Sequence, residues 1–282
     1  MTVNQDEGKC YSKDCIEGYY NNLTDKVSKF GLSGNELPIS EPAPGIKMYF
    51  SIAIFQYGLA AYDLFLLTKE KSYLGKVKAC AEWAVSNQDP NGGWKTFTYK
   101  RPDQLYSAMA QGEALSLLIR AHKTFLDNRY IECARKAKNF MMQSVENGGT
   151  TVYNDGYIYL YEYINDPQVL NGWIFAAWGL FDYGKYLNDE FVIGEWKNTV
   201  EAMANKLHVY DHQYWSMYDD GTTLANPFYH RLHIAMLNTM YDLTGIEEFL
   251  KYSQKFSQYQ SKRWNRIRAF VVKVWQKILE KE

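Results

Sequence analysis

Apolar residues along the middle of the chain follow the period of helices, and the predicted helices come in pairs. In each pair the first helix is apolar on nearly all sides, whereas the second has one charged face. A helix that is apolar all round is buried, and one with a charged face lies at a surface. Each pair therefore predicts an inner and an outer helix. The four predicted pairs are 49–68 with 72–88, 107–125 with 129–145, 170–187 with 190–209, and 229–244 with 247–260.

These pairs recur at a nearly constant interval. Gln56, Gln111, Asn171 and His230 occupy equivalent positions in the four units and are separated by 55, 60 and 59 residues. A regular period of this kind indicates a repeat architecture. Since inner and outer hairpins arranged in a ring form an α/α toroid, we predict an all-α fold, an incomplete α/α toroid of about four hairpins.

Three connectors rich in glycine and aromatic residues join each outer helix to the next inner helix. They are residues 87–94, 156–163 and 213–219, and the second alternates as a short strand would. Because each connector leads into the N-terminus of an inner helix, the connectors are predicted to converge on one mouth of the ring. Helix N-termini and aromatic rings at such a mouth suit an anionic sugar.

Two further segments flank the predicted toroid of residues 46–260. Residues 1–45 are predicted to be an N-terminal extension, with one helix over 14–30 followed by an extended, proline-containing stretch. Residues 261–282 predict a basic amphipathic helix, which suits a cap on the toroid, a membrane surface or a partner in a glycan-synthesis complex. Its apolar stripe comprises Trp264, Ile267, Val271, Val274 and Ile278.

Composition narrows the class of protein. The 282 residues are 46% hydrophobic with a formal net charge of −1, which suits one large domain with an appendage and argues against nucleic acid as a partner. The 24 Tyr and 8 Trp suit either a sugar-binding cleft or a bulky core.

Four scattered cysteines without metal spacing favour a reduced compartment, and no metal or cofactor is expected. Residues 1–29 lack the apolar stretch of a signal peptide, and we expect no membrane span. The expected location is cytoplasmic, and peripheral to the membrane if the C-terminal helix binds lipid.

One inner helix contains an interruption. Gln111 and Gly112 stand one turn into the helix that follows Ser107, where a core helix ordinarily carries leucine or alanine. Glycine there costs about 1 kcal/mol against alanine, which indicates a close approach of a ligand or of another backbone. Either explanation fits the sequence.

The motif Tyr-Ser-Ala-Met-Ala-Gln-Gly at 106–112 resembles the C-terminal catalytic domain of D-glucuronyl C5-epimerases, which convert glucuronate to iduronate residues in heparosan or heparan-type chains. Further similar motifs follow the family's order over about residues 49–259, as Gln56-Tyr-Gly-Leu, Asn87-Gln-Asp with Gly92-Gly-Trp94, Glu162-Tyr163 with Val169-Leu-Asn-Gly172, Tyr218-Asp219, and Tyr229-His230. The family's large N-terminal β-rich region, which helps to clamp the polymer in longer relatives, has no counterpart in these 282 residues.

Inversion at C5 of a uronate requires a base on one face of the sugar and an acid on the other. It also requires a group that stabilises charge on the carboxylate as the proton leaves. By resemblance, Glu162 is the base and Tyr229 the acid, with Tyr163 and Tyr218 beside them. Asn171 is expected to hydrogen-bond the substrate carboxylate, although capping of its own helix is an equally physical role.

The resemblance departs at a charged position. The family has an arginine three residues after the tyrosine of the Tyr-Asp motif, where this chain has Gly221. A substitute cation is therefore needed, and the candidates are Arg231, Lys100 and Arg101, of which the last two match a basic pair after the family's Gly-Gly-Trp. Arg120 lies deeper along its helix and is expected to be structural. Further candidate contacts to substrate are Gln111, Trp94 and His230.

Three functions fit these observations. The first is an isomerase, a C5-epimerase acting on an acidic polysaccharide. The second is a polysaccharide lyase, because elimination begins with loss of the same C5 proton. The third is a non-catalytic toroid that binds acidic glycans. A homodimer is compatible with these observations.

Overall fold

The structure is a computed structural model that describes residues 4–99 and 101–279. In this part of the chain the helices are α1 (Asp25–Phe30), α2 (Ser51–Thr68), α3 (Ser72–Ser86), α4 (Ala108–Phe125), α5 (Asn128–Met142), α6 (Leu170–Leu187), α7 (Glu190–Lys206), α8 (Pro227–Thr244), α9 (Glu247–Ser261) and α10 (Arg263–Leu279). The strands form two antiparallel hairpins, β1 (Ser40–Ala43) with β2 (Ile46–Met48) and β3 (Thr151–Asn154) with β4 (Tyr157–Leu160).

Helices α2 to α9 form four inner/outer hairpins, as the repeat predicts. The inner helices α2, α4, α6 and α8 contact one another in chain order, and each packs against its own outer helix. Helix α6 shows why it lies inside, because its residues 170–184 are all buried. The outer helix α5 is capped at its N-terminus by Asp127, whose side chain accepts a hydrogen bond from the Arg129 N–H. The prediction of an all-α, incomplete α/α toroid is confirmed.

Helix α2 is long and apolar enough, by length and composition, to cross a membrane. In the toroid it is an inner helix in contact with α3 and α4, which accounts for its composition.

Gly112 lies where helices α4 and α6 meet. A Cβ on Gly112 would lie 2.5 Å from the Cα of Ala176, and a Cβ on Gly179 would lie 2.4 Å from the Cα of Gly112. Real Cβ atoms do not approach backbone so closely, so the two helices require glycine at both positions. Of the two explanations that the sequence left open, helix packing is the one that the structure supports.

The predicted helix over residues 14–30 is wrong except for its last turns, because only Asp25–Phe30 is helical. The preceding residues form an irregular segment that bridges the first and last inner helices. The backbone N–H of Tyr19 donates to Asp63 on α2 over 2.8 Å, and the Tyr11 hydroxyl donates to Asp242 on α8 over 2.7 Å. Residues 4–24 therefore connect the two ends of the row of inner helices.

A buried ion pair anchors this segment. Arg120 on α4 and Asp182 on α6 are paired with both side chains at 0% exposure. Arg120 also donates to the backbone carbonyls of Glu17 and Gly18, and the Tyr20 hydroxyl donates to Asp182 over 2.6 Å. Arg120 is thus structural, as expected.

The connector before α6 begins with a tight hairpin. Strands β3 and β4 are joined by Asp155-Gly156, both with positive φ, which is the Asp-Gly turn favoured in two-residue hairpins. The predicted strand over 157–163 is confirmed as far as Leu160, and the chain then turns toward the start of α6. Tyr161 accepts a hydrogen bond from the Ala108 N–H through its carbonyl, which ties this connector to α4.

Candidate active site

A cavity of about 550 Å³ opens where the inner helices begin. Each inner helix contributes a side chain from its first turn, Ile52 from α2, Met109 from α4, Asn171 from α6 and Tyr229 from α8. The prediction that the N-termini of the inner helices converge on one mouth is therefore confirmed. Glu162 and Tyr163, from the connector before α6, line the same cavity.

Glu162 is the central carboxyl group of this cavity. Its side chain is 5% exposed, and Oε2 has no hydrogen-bond partner among the described residues. Gly172 in the first turn of α6 leaves the space it occupies, because a Cβ there would lie 2.2 Å from Oε2. Burial raises the pKa of Glu162 from 4.5 to about 7, although the neighbouring Tyr163 hydroxyl and the charge of Arg101 lower it in part. Such a carboxyl is able to accept a proton at neutral pH.

Three tyrosines surround Glu162. The rings of Tyr218 and Tyr229 lie with centroids 4.8 Å apart, and Tyr163 follows Glu162 in the chain. Burial, and then the charge of Glu162, raises the pKa of each phenol above its usual range. The phenols therefore stay protonated, which suits a proton donor rather than a base. The structure brings all four predicted catalytic residues together.

Asn171 lines the cavity from the first turn of α6. Its Oδ1 is buried without a hydrogen-bond partner among the described residues. The N-cap position of α6 belongs to Val169, so Asn171 does not cap its own helix. Its amide is therefore available to a ligand in the cavity.

Trp94, Gln111 and His230 do not line this cavity. The Trp94 indole N–H donates to the Ala84 carbonyl, and Gln111 accepts a hydrogen bond from the Trp94 backbone. The His230 ring stacks on Trp215 with centroids 3.6 Å apart. All three side chains are buried with partners inside the protein. Their positions support packing roles rather than contact with a ligand in this cavity.

The three candidate cations have different positions. Arg231 is exposed and lines a separate depression beside Arg266, so it is not placed to bind substrate in this cavity. Arg101 forms an ion pair with Asp166, and its guanidinium carbon lies 4.4 Å from the ring centroid of Tyr163. Lys100 lies outside the described residues.

Gly221 is also away from the cavity. It is exposed, and a Cβ there would lie 2.8 Å from the Pro167 side chain. The position at which the family has its arginine lines a different depression, with Val209 and Gln276.

Two functional candidates were not predicted from the sequence. Glu113 is fully buried behind the cavity wall, where its Oε1 accepts a hydrogen bond of 2.6 Å from the Gln56 amide, and burial raises its pKa to about 8. A single carboxyl in an apolar inner helix was the available signal. Lys26, on α1, lines the cavity directly. No sequence signal indicated it, because α1 lies outside the repeats.

The sequence also matches a known protein family. The profile of a protein family described as D-glucuronyl C5-epimerase C-terminus matches residues 88–258. A D-glucuronyl C5-epimerase of Caenorhabditis elegans is 30% identical over 199 residues, which cover 60% of this chain and 32% of that protein. An uncharacterised protein of Methanocaldococcus jannaschii is 32% identical over 157 residues, which cover 54% of this chain and 51% of that one. The chain thus spans about a third to a half of the length of these relatives.

A solved structure supports the fold. A family 76 glycoside hydrolase from a bovine Bacteroides thetaiotaomicron strain is similar with a TM-score of 0.51 and 16% identity, over 78% of this chain and 50% of that one. At this identity the likeness concerns the toroid alone.

Proposed function

Because the chain belongs to the D-glucuronyl C5-epimerase C-terminal family, we propose that it inverts C5 of D-glucuronate residues in a uronate-containing polysaccharide to give L-iduronate. The observation that carries this proposal is Glu162, a buried carboxyl with a free oxygen in a cavity that also holds the Tyr229 phenol. A base and an acid that come from different elements are what inversion requires, since the proton leaves one face of the sugar and returns to the other.

In the proposed reaction, the Glu162 carboxylate removes the proton from C5. The electron pair of the C–H bond moves toward the sugar's own carboxylate, which becomes enolate-like. Tyr229 then donates its phenolic proton to C5 from the opposite face, and the electron pair returns to form the new C–H bond. This leaves Glu162 protonated and Tyr229 as phenolate, so proton exchange with solvent must restore both before the next turnover.

The pKa values fit these roles. With a pKa of about 7, a large fraction of Glu162 is ionised at neutral pH and able to accept a proton. Burial raises the pKa of Tyr229, which makes the phenol a weaker acid. A carbanion-like C5 is nonetheless far more basic than a phenolate, so donation from Tyr229 to C5 is downhill.

The test is hydrogen exchange at C5. Oligosaccharides of heparosan and of other uronate polymers are incubated with the protein in deuterated water, and deuterium at C5 and iduronate are measured by NMR. Glu162→Gln and Tyr229→Phe should each lower the rate by roughly 10²-fold or more, the scale of a lost general base or acid. Glu146→Gln, at an exposed carboxyl, is the matched control and should leave the rate unchanged.

Three results would contradict the proposal. Absorbance from an unsaturated uronate would show a lyase. Binding of the oligosaccharides without any exchange would show a non-catalytic glycan-binding protein. Near-normal exchange in both Glu162→Gln and Tyr229→Phe would show that other groups transfer the proton, with Tyr163 and Tyr218 the next to test.

A further inference from the structure

The proposed reaction places negative charge in a cavity from which the family's arginine is missing. As the C5 proton leaves, charge grows on the substrate carboxylate, and a preorganised cation at that position contributes strongly to catalysis. Arg231 lies on another surface, and Arg101 is already paired with Asp166. Of the candidate cations among the described residues, neither is therefore free to meet the substrate carboxylate.

Helix α1 carries two lysines into this wall, Lys29, which is exposed, and Lys26, which is only partly exposed. Lys26 lines the cavity together with Glu162 and Asn171. Lys76 and Lys123 bind backbone carbonyls elsewhere in the protein, whereas no hydrogen bond or salt bridge joins the Lys26 ammonium group to a described residue. A half-buried ammonium group without a partner is unfavourable, which indicates that an anion binds beside it.

The other polar groups of the cavity are consistent with an anion beside Lys26. Oε2 of Glu162 and Oδ1 of Asn171 are also buried without partners among the described residues. Burial lowers the pKa of Lys26 to about 8, so the amine is still mostly charged at neutral pH. Burial raises the pKa of the nearby Glu113 to about 8, although the Gln56 amide and the charge of Lys26 lower it in part, and no salt bridge joins Glu113 to Lys26.

We propose that Lys26 binds the carboxylate of the uronate ring and stabilises the charge that develops on it. This inference rests on the proposed function, and it assigns to the N-terminal segment the role that an arginine after the Tyr-Asp motif has in the family. Lys26 thereby becomes the group that distinguishes a uronate from a neutral hexose.

The experiment compares binding of charged and neutral sugars. The Kd values of a glucuronate-containing oligosaccharide and of its carboxyl-reduced glucose counterpart are measured by calorimetry for the unsubstituted protein, Lys26→Gln and Lys26→Arg. Lys26→Gln should weaken binding of the uronate by about tenfold or more, the scale of a hydrogen bond to a charged group, and leave the neutral sugar unaffected. Lys26→Arg should retain most of the preference. Lys13→Gln, at an exposed site in the same segment, is the matched control.

Other results would contradict the inference, the proposed function or both. Equal binding of the uronate by Lys26→Gln and the unsubstituted protein would show that the ammonium group does not contact the carboxylate. Equal weakening of both sugars would show a structural role only. Absence of uronate binding in the unsubstituted protein would overturn this inference and the proposed function together, whereas binding without C5 exchange would overturn the function alone.

A different observation, the surface of α10, carries a second inference. The helix contacts the toroid through one side, where Ala269 is buried and the Gln276 amide donates to the Thr222 carbonyl over 2.8 Å. The other side exposes seven large apolar side chains, Trp264, Ile267, Phe270, Val271, Val274, Trp275 and Ile278. At 100° per residue these positions fall on one continuous arc of the helix.

The charge of α10 indicates which kind of surface covers this apolar arc. Between residues 262 and 277 there are six lysines and arginines and no acidic residue. Pairing with α10 of a second copy would bring these like charges together. An anionic bilayer surface instead offers acyl chains to the apolar arc, headgroups to the basic residues and an interface that tryptophan favours. We infer that α10 lies on an anionic membrane surface and holds the toroid there.

Co-sedimentation with vesicles tests this inference. The protein should sediment with vesicles that contain phosphatidylglycerol, to an extent that falls with salt, and not with vesicles of phosphatidylcholine alone. The double variant Trp264→Ser with Trp275→Ser should lose this binding, whereas Phe191→Ser, at an exposed aromatic residue on α7, should retain it. Equal sedimentation of the double variant would overturn the inference. So would a lipid-free dimer that the double substitution converts to monomer, because a second copy would then cover the arc.

Discussion

Substitution of Gly172 by alanine should displace the Glu162 carboxylate without changing its chemistry. A Cβ at position 172 would lie 2.2 Å from Oε2 and 2.7 Å from the Cβ of Glu162, whereas ordinary contact begins at 3.4 Å. The carboxylate oxygen must therefore move by about 1.2 Å. Because the Cβ of Glu162 is also too close, a change of rotamer is not enough, and the connector that carries Glu162 must shift.

The expected consequence is a loss of rate in a folded protein. A misplacement of about 1 Å in a reacting group costs on the order of 10²-fold, so the rate of C5 exchange should fall by about that factor. The folded state should persist, because alanine favours the helix by about 1 kcal/mol over glycine and offsets part of the strain. The assay is deuterium incorporation at C5 by NMR, with thermal unfolding followed by circular dichroism on the same samples.

Gly194→Ala on α7 is the matched control. No atom would lie within 4 Å of its Cβ, so this variant should keep the normal rate and gain up to about 1 kcal/mol of stability. A Gly172→Ala protein with the normal exchange rate and the normal unfolding temperature would refute the reasoning. The position of Glu162 would then be unimportant, and the base would have to be another group.

Three further predictions concern charged side chains. Arg101→Gln removes a positive charge that lowers the pKa of Glu162, so the rise of the exchange rate with pH, expected near pH 7, should move to higher pH. Asp182→Asn leaves the Arg120 guanidinium buried without its counter-ion, and urea unfolding should show a loss of roughly 3–5 kcal/mol. Burial raises the pKa of Glu113 from 4.5 to about 8, so between these pH values the folded chain holds a proton that the unfolded chain releases. Stability should therefore fall as pH rises through this range, and less so in Glu113→Gln.

Each of these has a contradicting outcome. An unshifted pH profile in Arg101→Gln would show that its charge does not reach the base. An unchanged urea midpoint in Asp182→Asn would show that the carbonyls of the N-terminal segment suffice for Arg120. Parallel pH dependences of stability in Glu113→Gln and the unsubstituted protein would show that this carboxyl is ionised in the fold.

The hairpins could be predicted because burial determines their pattern. Helix α6 begins at Leu170 and ends at Leu187, the predicted bounds, since an inner helix is apolar all round and its outer partner is not. The N-terminal segment could not be predicted this way. Tyr19 and Tyr20 are adjacent and both fully or almost fully buried, which one face of a helix does not allow. Two neighbouring rings are both buried only where other elements enclose the segment that carries them. That enclosure arises only when the toroid is assembled.

The candidate site also has residues that could be predicted from the sequence and residues that could not. Resemblance to the family identified Glu162, and a carboxyl in an apolar, aromatic connector requires a partner or a function in any case. Gln111 and His230 stand in motifs that resemble the family, yet each side chain finds partners inside the protein. Lys26 was missed because it lies on α1, outside the repeated hairpins. Whether such a residue lines the cavity depends on where its non-repetitive segment ends in the fold.

This dependence has a mechanistic consequence for the lysine of α1. A long side chain on a loose arm would lose conformational freedom whenever it bound substrate, and that loss would weaken binding. Here the preceding residues are held by buried contacts, from Arg120 to the Glu17 and Gly18 carbonyls and from the Tyr19 N–H to Asp63. These contacts hold residues 17–19 against α2 and α4, and α1 itself packs against α2. The segment that completes the row of inner helices thereby also positions the proposed carboxylate-binding group, although it lies outside the residues that match the family.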